Sequence, residues 1–121
     1  MATPAESMNA VMSIEGAAAA ALVDYDSGMT LATAGGGVDL ELAAAGNTEV
    51  VRAKMRVMDS LGLDDKIEDI LITLGKQFHL IRLVSGPNGH GLFLYLVLQR
   101  DRANLAMARR QLQAVEQALD I

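Results

Sequence analysis

Three short patterns in this 121-residue chain contain residue types that chemistry uses. Asp24-x-Asp26-x-Gly28 has the form of the opening of a calcium loop, in which alternate carboxylates converge on one cation. Its glycine falls one position early, and Gly35 stands where the bidentate glutamate would be needed, so a turn closed by Asx side chains is expected instead. Gly35-Gly36-Gly37, between an apolar run and a helical pattern, invites comparison with a phosphate cradle. It has neither the P-loop nor the dinucleotide-binding spacing, and Asp39 and Glu41 would repel an anion from the following helix start, so it reads as a linker. Asp64, Asp65, Glu68 and Asp69 form an acidic cluster that reads as the solvated, charge-protected beginning of a strand.

The remaining titratable groups point away from catalysis. His79 falls in an apolar run and points with Ile81 and Leu83, whereas His90 falls in a glycine-rich loop. Neither has a serine or carboxylate at a spacing that marks an activated nucleophile. The chain has no cysteine, which removes thiolate nucleophiles, disulfides and zinc-thiolate sites. No residue is therefore assigned to catalysis, to a cofactor or to a metal, and the chain reads as a non-enzyme. Arg52, Arg56 and Arg82 have two readings: an arginine finger of the kind that serves phosphoryl transfer, or surface charge. Glu49 with Arg52 and Arg56 with Asp59, three residues apart on a helix, fit the second, each pair stabilising the helix by roughly a few tenths of a kcal/mol.

Composition sets the frame. The length suits one domain over residues 1–121 with a single core. The formal charge of −5 argues against a nucleic-acid backbone as ligand, which requires a basic face. Half the residues are apolar but aromatics are few, and seven methionines, adaptable at partner surfaces, stand in their place. No basic segment precedes the first apolar residues and no apolar run nears the length of a membrane span, so a cytoplasmic protein without signal peptide is the expectation.

The elements that must position these groups follow from periodicity. Residues 4–15 predict a helix with Thr3 as N-cap, Pro4 in its first turn and Glu6 at the positive end of the dipole. The run 17–23 is ambiguous, because five consecutive alanines favour a helix. Gly16 before it and the acidic turn after it make it a strand, in a hairpin with residues 29–34. Asp39 caps a long helix to about residue 61. Strands are predicted over 67–74, 78–84 and 92–98, with a loop at 85–91 and the last strand apolar enough to be central and covered on both faces. A final helix starts from Asp101 as cap, with Leu105, Ala108, Leu112, Val115 and Leu119 as its apolar stripe and Arg109, Arg110, Gln113 and Glu116 outside it.

The long helix is apolar over more of its circumference than one sheet face can cover. At ~100° per residue, Val50, Leu61, Met58, Val51, Met55, Val57 and Ala53 sweep roughly 200°, about twice the stripe of a one-sided surface helix. Glu49, Arg52, Arg56, Asp59 and Ser60 mark the solvated side. Lys54 interrupts the arc near its centre, either as a side chain that snorkels out of it or as a specific contact to a partner.

The run from Ile14-Glu15-Gly16-Ala17 through Leu22-Val23-Asp24-Tyr25-Asp26-Ser27-Gly28-Met29, followed by the glycine-rich link and the long helix, resembles the Roadblock/LC7 family. The likeness covers nearly the whole chain, and its motifs include no catalytic signature. It implies an α+β, profilin-like αββαβββα fold with a five-stranded antiparallel sheet and helices on both faces. It also implies a homodimer in which the long helices pack side by side and the third strands meet. The interface would then draw on Val50, Val51, Lys54, Met55, Met58, Ile70 and Ile72, and the partner-binding residues would be Glu49, Arg52 and Arg56. Compact single-domain bacterial members of that family are associated with small Ras-like GTPases. The expectation is thus a non-catalytic homodimeric regulator or adaptor of such a GTPase, without cofactor. The alternative is a structural scaffold subunit or a small-ligand-binding domain.

Overall fold

The computed structural model describes residues 2–86 and 91–120. Helix α1 (Pro4–Met12) leads into β1 (Ala17–Asp24) and β2 (Met29–Gly35), and the long α2 (Leu40–Ser60) follows. Strands β3 (Asp69–Thr73), β4 (Gln77–Leu83) and β5 (Leu92–Gln99) precede α3 (Leu105–Ala118). The five strands form one antiparallel sheet in the order β2-β1-β5-β4-β3. This is the αββαβββα arrangement the sequence predicts. The loop expected at 85–91, with His90, lies mostly outside the described residues.

Local chemistry accounts for most boundaries. Thr3 and Glu6 form a reciprocal capping box, in which the Glu6 amide donates to Thr3 Oγ1 at 3.2 Å and the Thr3 amide to Glu6 Oε1 at 3.0 Å. Those contacts hold the Glu6 carboxyl below its ordinary range. The Asp26 amide donates to Asp24 Oδ1 at 2.9 Å, so the acidic pair closes a turn, which Gly28 completes at φ +78°. The alanines of β1 form a strand despite their helix propensity because β2 and β5 supply ladder partners on both sides. Their small side chains fill the interior completely, with Ala19, Ala20 and Ala21 inaccessible to solvent.

Three expectations at element ends change. Helix α1 stops at Met12 instead of near residue 15, with Ser13 as its C-cap. Asn104, not Asp101, caps α3, accepting from the Met107 amide at 3.1 Å. Residues 99–103 first make a turn of their own, with the Arg102 and Ala103 amides donating to the Gln99 carbonyl. The third strand is also shorter than 67–74, because its ladder with β4 runs only from Asp69 to Thr73.

β5 separates two apolar layers. Leu94, Leu96 and Leu98 point toward α1 and α3, meeting Met8, Val11, Ile14 and Leu112. Phe93, Tyr95 and Val97 point toward α2, meeting Ala44 and Val51. α2 lies mainly over β1 and β2, so half-buried Ile70, Ile72 and His79 carry the α2 face of the sheet out to the β3 edge. On the other layer Ala2 is stitched to the segment after α3, Ala2 N donating to Ala118 O and Asp120 N to Ala2 O, each at 2.7 Å.

Candidate partner-binding surface

α2 begins where Asp39 Oδ1 accepts from the Leu42 amide at 3.2 Å. Its inward stripe, Ala44, Thr48 and Val51, is buried, and Met55 extends it half-buried toward the C-terminal end. Thr48 satisfies its hydroxyl within the helix, donating to the Ala44 carbonyl at 2.8 Å. The sheet takes up only this narrow stripe. Val50, Val57 and Leu61 remain 39%, 48% and 65% exposed, an apolar surface that the other described residues leave uncovered.

Val50, Lys54 and Met58 stand one turn apart and form one wall of a groove of about 930 Å³. Leu63, Ile67, Ile70, the charged segment with Asp65, Lys66 and Glu68, and Arg109 and Arg110 of α3 line the rest of it. The groove continues past Met58 and Leu63 into a cavity of about 570 Å³ that Tyr25, Met55, Leu83 and Val84 help to line. There burial and the Asp26 carboxylate push the Tyr25 hydroxyl up, partly opposed by the backbone at Gly91.

The structure thus brings Val50, Lys54, Met58 and Ile70 together in one groove. Ile72, opposite His79 in the β3–β4 ladder, faces the same side one register step further on. Val51 does not join them. It is fully buried against the protomer's own sheet, so it is core rather than interface surface. Glu49, Arg52 and Arg56 are exposed on the far side of the helix.

Three polar arrangements had weak signals in the sequence. Glu116, expected outside the α3 stripe, is buried within it and takes Arg82 Nε at 3.3 Å, while Ser85 Oγ donates to its other oxygen at 3.3 Å. Its spacing of four from Leu112 was the available signal. Arg82 is therefore bound to α3 and does not project as a finger. Arg109 makes a two-point pair with Asp69, at 2.8 and 3.0 Å, that ties α3 to the start of β3. On the α2 face, the Tyr95 hydroxyl meets His79 Nδ1 at 3.1 Å and Gln77 Oε1 meets Nε2 at 3.0 Å. Burial lowers the His79 ring and raises the Tyr95 hydroxyl, the latter partly opposed by the Asn47 side chain of α2. Neither a serine nor a carboxylate is among the partners of His79, and no cluster of metal-ligating residues occurs among the described residues.

Comparison with known proteins separates fold from sequence. No family model matches the chain, and no curated protein does either. Solved structures match closely in shape. A Roadblock/LC7 domain from Streptomyces avermitilis superposes with a TM-score of 0.79 at 13% identity, covering 93% of this chain and 90% of that one. Myxococcus xanthus MglB gives 0.75 at 16% identity, over 94% and 85% of the two chains. An MglB solved with a tetrameric arrangement gives 0.78 at 18% identity, over 93% and 82%. The chain has the Roadblock/LC7 fold, and MglB is among the proteins it is similar to in three dimensions. Among the described residues, no helix is long and apolar enough to cross a membrane.

Proposed function

We propose that this protein is a non-catalytic homodimeric adaptor or regulator of a small Ras-like GTPase, acting in a signalling or polarity module of the cytoplasm. The observation that carries the reading is the uncovered apolar side of α2, where Val50, Val57 and Leu61 stand exposed beside the groove. A second copy is its natural cover, because a self-complementary patch closes about a two-fold axis. The β3 edge would gain protection in the same assembly. The MglB with a tetrameric arrangement is a structural neighbour that self-associates. The association with GTPases rests on the Roadblock/LC7 likeness, and two copies of α2 would offer Glu49, Arg52 and Arg56 twice over one surface.

Affinity capture from native extract, with and without GTP, followed by mass spectrometry tests this. A Ras-like GTPase should be recovered in a nucleotide-dependent way. Replacing Arg52 and Arg56 together by glutamate should weaken its capture while leaving the dimer intact, since rim charges act mainly on association. Equal capture by the double variant would move the platform elsewhere, and no GTPase in either state would leave a scaffold role. The cavity beneath Met55 and Met58, within the size range of ligand pockets, favours one other reading, a small-ligand domain. A metabolite that copurifies with the protein would mark that reading.

A further inference from the structure

Lys54 is exposed between Val50 and Met58, in the middle of the surface that the proposed dimer covers. Among the described residues no carboxylate lies within ion-pair distance of it. Covering that surface with an identical copy removes two lysines from water and adds like charges to the same interface. Both effects oppose assembly unless each ammonium finds a counter-charge. Asp65 and Glu68 line the same groove alongside Lys66 and Arg110, and both carboxylates are exposed and, among the described residues, in no ion pair. Asp69 beside them is already engaged by two nitrogens of Arg109.

We propose that Lys54 of one copy pairs with the Asp65/Glu68 carboxylates of the other, so that the dimer is closed by two equivalent ionic contacts across the groove. This rests on the dimer proposed above and identifies what sets its register. A two-fold interface makes every contact twice, so one lysine and one acidic segment per chain suffice. The apolar flank from Val50 to Leu61 tolerates sliding along the helix; a charge pair at a single point does not. It also selects the partner, because a chain of the same fold without acids at this place would leave the lysine unpaired.

Charge exchange tests the pairing, read by analytical ultracentrifugation of the full chain over a range of concentrations. Lys54→Glu alone, and Asp65→Lys with Glu68→Lys in one chain, should each raise the dimer dissociation constant about tenfold or more. Mixed in equal amounts, the two variants should form a heterodimer of about wild-type affinity, because opposite charges then face each other at both contacts. All three side chains are exposed in the protomer, and circular dichroism checks that folding is unchanged. Val50→Asp serves as the control that splits the dimer whatever the pairing. If it does so while Lys54→Glu has no effect, or if mixing restores nothing, the pairing is overturned and the dimer stands. A wild-type protein that is monomeric throughout overturns both.

Discussion

At the scale of single residues, the groups that hold this fold together most specifically are polar ones within apolar layers. Glu116 is almost completely enclosed and relies on Arg82 and Ser85 for compensation. Arg82→Met should therefore cost about 3–5 kcal/mol, because it strands a buried carboxylate. The double variant Arg82→Met/Glu116→Met should recover most of that loss, as measured by urea denaturation. If the single variant loses no more than the double, the pair is too well solvated to matter. His79 makes a second prediction. Burial lowers its ring below the ordinary value of 6.5, so on acidification the unfolded chain takes up the proton first. Its share of stability is complete above 6.5 and is lost as the pH falls from there toward the folded-state value. Between about pH 7.5 and about pH 5.5 the urea midpoint should drop more for wild type than for His79→Gln. Equal drops would assign the acid sensitivity to other groups. Neither arrangement was open to sequence reading in full, since Arg82 and Glu116 are 34 residues apart and only the fold brings them together.

At the scale of elements, boundaries written in local chemistry were legible and those set by tertiary contact were less so. Thr3, Pro4 and Glu6 mark the start of α1 because the capping box is made by neighbours in sequence. The α3 stripe was legible too, but its cap moved to Asn104 because the chain leaving β5 completes a turn before the helix begins. Val51 illustrates the same limit within one helix. Periodicity places it on the apolar arc, but only the sheet decides which part of the arc is covered. The glycine-rich link, set aside as a phosphate cradle, has a packing reason of its own. A Cβ on Gly35 would collide with the Ala18 carbonyl and approach Ala19 Cα at 2.8 Å, and its φ of +76° disfavours other residues. Gly35→Ala should cost about 2 kcal/mol or more by thermal or urea denaturation. Gly36→Ala, with open space around the added carbon, should stay within about 0.5 kcal/mol. Equal costs would mean that the link yields at both positions.

At the scale of the whole molecule, the two layers divide the work. The face with α1 and α3 is closed by leucine packing, by the Arg82–Glu116 pair and by the hydrogen bonds between Ala2 and residues 118 and 120. The face with α2 is left half-open, with apolar side chains and, among the described residues, several charges in no ion pair along one groove. The excess of apolar arc on α2 was visible in the sequence, whereas the placing of Asp65 and Glu68 in the same groove as Lys54 needed the turn between α2 and β3. The stitched ends have a topological consequence. With Ala2 hydrogen-bonded to residues 118 and 120, the backbone from residue 2 to residue 120 is almost a ring, and a short tether joining those two positions would complete it. A ring has no first element. Cut instead at Gly75, where an added Cβ would meet nothing within 4 Å, it would run from β4 through α3 directly into α1 and finish at β3. Such a circular permutant would keep every strand neighbour and move both free ends to the β3–β4 turn, at the other end of β3 from the groove.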